Sequence, residues 1–127
     1  MTSETINETI DAEHELRSVL EQWATAIAEH RPDDVAALFT EDALFQGFDP
    51  EPGFGRDYVS SYYAKQPIGL RAEYELLSAR EIASDALAGY ARVLFLRPDG
   101  DVRVYLTVIA QRGRTGWALS HYHVSKI

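Results

Sequence analysis

Apolar residues recur at three- and four-residue steps early in the chain. Leu16, Val19, Leu20, Trp23, Ala26, Ile27 and His30 fall on one face of a helix. Thr5-x-x-Glu8 fits a capping box and Asp11 a later N-cap, so residues 1–10 read as an N-terminal extension that frays. Arg31-Pro32 breaks the run and opens a second helix. Pro32 suits a first helical position, Asp33 and Asp34 favour the positive end of the dipole, and Val35, Leu38 and Phe39 supply the apolar side. Ala43 to Phe48 reads as a strand, and Asp49 to Gly55 as a Gly/Pro loop. A third helix then spans Arg56 to Gln66 and is stopped by Pro67 and Gly69.

From Arg71 the pattern changes to alternation and to β-branched and aromatic residues, in segments 71–82, 86–97, 101–112 and 116–126. Short turns separate them: Ser84-Asp85, Pro98-Asp99-Gly100 and Gly113-Arg114-Thr115-Gly116. Helices first and strands afterwards predict an α+β fold, with one curved antiparallel sheet carrying helices on one face. A type I turn with a glycine bulge would pair Arg97 with Asp101, which sets Arg92 opposite Leu106 and Tyr90 opposite Val108. Val102, Val104, Leu106, Val108 and Ala110 form a uniform apolar set and are expected to face the helices. A four-residue loop at 113–116 would then place His121 beside Val108 and His123 beside Leu106. Two histidines, Arg92 and Tyr90 would share the helix-facing side, where unpaired polar groups cost about 1–3 kcal/mol each. A cavity between sheet and helices resolves that conflict.

The composition narrows the chemistry. The chain has 127 residues, enough for one domain, with 46% hydrophobic and 25% charged residues, as in a globular protein. Twelve basic against twenty acidic residues give a net charge of −8, which argues against nucleic-acid and anionic-membrane partners. The absence of cysteine excludes disulfides, thiol catalysis and Cys-type metal sites. No apolar run reaches the ~18 residues of a membrane span, and the polar, acidic first residues do not resemble a secretion signal, so a cytoplasmic location is expected. Gly53-x-Gly55 lacks the spacing and the βαβ context of a phosphate loop and reads better as a lid with mobile acids Asp49 and Glu51.

Helix pair, strand, helix and long meander, with Leu38-Phe39-Thr40-Glu41-Asp42-Ala43 and Gly116-Trp117-x-Leu119-x-His121-x-His123, resemble the nuclear transport factor 2-like superfamily. Phe45-Gln46-Gly47, Gly55-Arg56, Tyr62-Tyr63-x-x-Gln66-Pro67 and Ser120-His121-Tyr122-His123-Val124-Ser125 look most like its SgcJ/EcaC branch. The resemblance covers residues 12–127 and implies a cone-shaped, cystatin-like sheet packed against three N-terminal helices. It also implies a homodimer through the outer sheet face, where Arg103, Tyr105, Thr107 and Trp117 are expected. Ketosteroid isomerase machinery is missing: Trp23 stands at its helix tyrosine, Gly47 near its base and Val108 near its oxyanion aspartate.

The resemblance therefore implies a cofactor-independent isomerase, cyclase or dehydratase of secondary metabolism acting on an apolar, polyketide-like molecule. His121 and His123 would move protons, Arg92 would polarise an oxygen, and Asp49 would supply a displaced base. Trp23, Phe45, Phe48, Tyr62 and Tyr90 would form the substrate-binding wall. The competing reading of Arg92 is an internal ion pair with a residue such as Glu75. The competing reading of the histidines is packing at the closed end of the cone, or a His-x-His metal site completed by Asp49 or Glu51. No metal and no cofactor is expected. A non-catalytic carrier and a purely structural dimerisation domain are the alternatives in function.

Overall fold

The computed structural model describes residues 10–48 and 51–127. Thr5 and Glu8 of the expected capping box, and Asp49, lie outside the described residues.

Helix α1 (Ala12–Ala28) is capped by Asp11, whose carboxylate accepts the His14 N–H at 3.1 Å. Its buried stripe is Leu16, Val19, Leu20, Trp23, Ala26 and Ile27. The chain leaves α1 through His30, which adopts the left-handed conformation (φ 53°), and Arg31 N–H reaches back to the Ala26 carbonyl at 2.9 Å. Helix α2 (Pro32–Ala36) begins at proline as expected and buries Val35 and Ala36. Strand β1 (Phe39–Gln46) begins four residues before the expected Ala43 because Phe39 already pairs with the last strand. A two-residue strand β2 (Gly53–Phe54) folds back on β1, inside what the sequence suggested was loop. Helix α3 (Arg56–Ala64) comes next.

Strands β3 (Arg71–Ala83), β4 (Ala86–Leu96), β5 (Val102–Gly113) and β6 (Gly116–Lys126) form the antiparallel meander. The sheet order is β2-β1-β6-β5-β4-β3, and β1 joins β6 in parallel. Buried Val104, Leu106, Val108 and Ala110 of β5 face the helices, as the alternation predicted. Helix α1 lies close on the sheet at Gly89, where a Cβ would sit 3.0 Å from Val108 and 3.1 Å from Leu16.

Two register details overturn the expected helix-facing polar set. Across the β4–β5 turn, Leu94 pairs with Arg103, Arg92 with Tyr105 and Tyr90 with Thr107, one residue away from the expected match. The odd residues of β4 (Leu87, Gly89, Ala91, Val93, Phe95) then face the helices, and all are apolar or lack a side chain. Tyr90 and Arg92 project outward. In β6, Leu119 pairs with Ala110 as expected, but a bulge at Ser120 shifts the rest of the strand: His121 pairs with Ile109, Tyr122 with Val108 and His123 with Thr107. The bulge buries Tyr122 and Val124 and places both imidazoles on the outer face, His121 half-buried and His123 exposed.

Candidate functional site

The space between sheet and helices is filled mostly by aromatic side chains. Tyr122 stacks on Phe45 with ring centroids 4.4 Å apart and 9° between planes. Phe39 and Trp23 pack their rings against Tyr122 at 5.9 and 6.0 Å. What remains is a cavity of about 20 Å³ lined by Phe48, Tyr62, Tyr63, Gln66, Leu70, Phe95, Arg97, Val102 and Tyr122. That is room for about one water molecule. Tyr63, Leu70, Phe95 and Tyr122 are buried, whereas Phe48, Gln66, Arg97 and Val102 are partly exposed and form its outer side.

The polar groups of this cavity are ordered by a short relay. The Trp23 indole N–H, fully buried, donates to the Tyr63 hydroxyl at 3.2 Å. The Tyr63 hydroxyl in turn lies 3.3 Å from that of Tyr122. Indole can only donate, so the Tyr63 oxygen is fixed as an acceptor, and the contact between the two phenols uses one of their two hydrogens. The other phenolic hydrogen is left for a further acceptor. Burial holds both hydroxyls well above the ordinary phenol range, which keeps them neutral donors. On the outer side, Tyr62 accepts the Phe48 backbone N–H at 2.9 Å, and Arg97 donates to the Gln66 side-chain oxygen at 3.3 Å.

Of the residues singled out in the sequence, Phe48 and Tyr62 line this cavity. Tyr63, the neighbour of Tyr62, lines it as well. Trp23 and Phe45 are fully buried behind it and act on it through Tyr63 and Tyr122. Tyr90 does not contribute: it is 40% exposed on the outer face and stacks on Tyr105 at 5.5 Å. Arg92 likewise stands outside, ion-paired to Glu75 at 2.7 Å, which is the alternative partner the sequence suggested. His121 and His123 belong to the outer face because the Ser120 bulge turns them there. Trp117 shows the opposite error, packing partly buried on the helix side beneath the Arg112 guanidinium at 4.9 Å. Sequence reasoning missed Tyr122, Gln66 and Arg97. The odd-numbered apolar run of β4 was the available signal for that strand, and nothing in Ser120 announced a bulge.

The profile of the SnoaL-like domain matches residues 16–127. This chain belongs to the SnoaL-like domain family. The solved structures it resembles include a cystatin-like domain of unknown function from Nostoc punctiforme, at 19% identity and TM-score 0.80, covering 94% of this chain and 79% of that one. A candidate scytalone dehydratase from Novosphingobium aromaticivorans aligns over 100% of this SnoaL-like chain and 89% of its own, at 15% identity and TM-score 0.81. A Catenulispora acidiphila protein in complex with S-DNPA aligns over 90% and 92%, at 21% identity and TM-score 0.72. At these identities the likeness establishes the fold alone. No curated protein sequence matches the chain.

Proposed function

We propose that this SnoaL-like domain binds a small, mostly apolar molecule carrying one acceptor oxygen, and that it acts as a binding module, not as an acid–base enzyme. The observation that carries this reading is the Trp23–Tyr63–Tyr122 relay, which offers one neutral phenolic hydrogen beside an apolar cavity. Among the described residues lining that cavity there is no carboxylate and no imidazole, so nothing there trades a proton near neutral pH. The cavity takes a ligand when the partly exposed Phe48 ring turns outward and vacates the volume of one benzene ring. The complex of the Catenulispora protein with S-DNPA is in keeping with ligand binding by this fold.

The test is a calorimetric titration with phenol and with toluene, which has the same shape without the oxygen. Phenol is expected to bind about tenfold more tightly, the difference of one net hydrogen bond. Phe48→Ala should strengthen both. Equal affinities, or no binding of either even in Phe48→Ala, would overturn the reading.

The outer face favours a second function beside the first, pairing with another copy of the chain. Tyr90 and Tyr105 stack there in partial exposure, and the outward positions of β4, β5 and β6 carry no carboxylate although the net charge is −8. Sedimentation of the protein and of Tyr90→Glu tests it: a dimer converted to monomer supports the pairing, and a monomeric parent protein refutes it.

A further inference from the structure

The cavity has a chemically distinct outer end. Arg97 closes strand β4 at the Pro98-Asp99-Gly100 turn, where the Gly100 N–H donates to the Arg97 carbonyl at 3.2 Å and Gly100 takes φ 132°. The turn bends the chain so that the guanidinium lies along the cavity mouth, not out in solvent. Its side chain is 22% exposed, against 45–63% for the other ion-paired arginines among the described residues. Among the described residues lining the cavity it is the one cation.

The partners of Arg97 matter more than its position. Gln66, whose amide also donates to the Tyr62 carbonyl at 3.4 Å, presents its side-chain oxygen to Arg97 Nη1 at 3.3 Å. Asp99 accepts from Arg97 Nε at 3.3 Å and has a side chain that is 76% exposed. A guanidinium carries five N–H donors in a fixed fork, so two partners leave three donors free. The exposed Asp99 pair is worth little in water, and a carboxylate better enclosed by the mouth can displace it. Gln66 holds the guanidinium over the cavity while that exchange takes place.

We infer that the ligand is an aromatic acid: a ring seated against Phe95 and Tyr122 in the space the Phe48 ring vacates, with its carboxylate taken by Arg97 and a second oxygen meeting the phenol pair. This rests on the proposed binding of an apolar molecule in the same cavity and adds the anionic end. Neither Arg92 nor the histidines can serve this end, since all three stand on the opposite face of the sheet.

The experiment compares 4-hydroxybenzoate with phenol in calorimetric titrations of the full chain, its Arg97→Gln variant and its Asp99→Asn variant. 4-Hydroxybenzoate is expected to bind the unaltered chain at least about tenfold more tightly than phenol, since a charge-assisted hydrogen bond to the guanidinium is stronger than one between neutral groups. Arg97→Gln should erase that advantage, so that 4-hydroxybenzoate and phenol then bind the variant with similar affinity. Asp99→Asn should increase it, because the guanidinium then has no competing carboxylate; a purely structural Arg97 would not respond in this way. If phenol binds but 4-hydroxybenzoate binds no better, the anionic end is wrong and the cavity reading stands. If neither binds, both fall.

Discussion

Removing the Tyr63 hydroxyl should damage this protein more than removing that of Tyr122, although the two oxygens are only 3.3 Å apart. Tyr63 is the middle of the relay. In Tyr63→Phe the Trp23 indole N–H, on a residue 0% exposed, loses its acceptor and is left buried and unpaired. Such an orphan costs about 1–3 kcal/mol. The Tyr122 hydroxyl loses its partner too, but it lines a cavity of about 20 Å³ with room for a water, so its loss is smaller. The sum is about 2–4 kcal/mol. In Tyr122→Phe the Trp23–Tyr63 bond survives, and the loss is one ordinary hydrogen bond, about 0.5–1.5 kcal/mol. The double variant still has only one orphan, the indole, so its cost should match that of Tyr63→Phe alone instead of adding. Urea unfolding followed by tryptophan fluorescence measures all three, with an unchanged m-value as the control that the denatured state is the same. Equal costs for the two single variants, or strictly additive losses in the double, would refute the relay.

Three further outcomes rest on the same geometry. Tyr63 and Tyr122 are held above the usual phenol range by burial, so the folded chain keeps them neutral where the unfolded chain ionises. The stability they confer is complete below about pH 10 and falls as pH rises further, by up to about 1.4 kcal/mol per pH unit for each; alkaline melts of Tyr122→Phe should be shallower. His30→Gly should stabilise the protein by about 0.5–1 kcal/mol in thermal unfolding, because φ 53° suits glycine and strains a side chain; a loss would show that the imidazole makes a compensating contact. Gly53→Ala should cost about 1–3 kcal/mol, since the added Cβ would collide with the Tyr58 ring that seats β2; an unchanged melting temperature would mean that the ring moves aside freely.

The architecture was legible because it depends on periodicity. The α1 stripe, the proline that opens α2 and the four alternating segments are local signals, and each produced its element. The uniform apolar set of β5 correctly named the face that meets the helices. The candidate site was less legible because it depends on register, where one residue inverts a whole strand. At the β4–β5 turn the observed pairing obeys burial of Leu87, Ala91, Val93 and Phe95 and not the turn type assumed from Pro98-Asp99-Gly100. At Ser120 the burial of a large aromatic ring was decisive: Tyr122 goes in, and the imidazoles on either side go out. The parallel pairing of β1 with β6 joins segments far apart in the chain and left no local trace. Arg92 was expected inside, as ligand anchor or in an internal ion pair; Glu75 is its partner, but the pair forms on the exposed outer face.

The claim on which the functional reading turns is that phenols, not imidazoles, face the ligand. Calorimetric binding of phenol to Tyr63→Phe/Tyr122→Phe and to His121→Ala/His123→Ala tests it directly. The double phenylalanine variant should lose about tenfold in affinity, one hydrogen bond's share, while the double alanine variant binds like the parent. Unchanged binding in the former together with loss in the latter would contradict it.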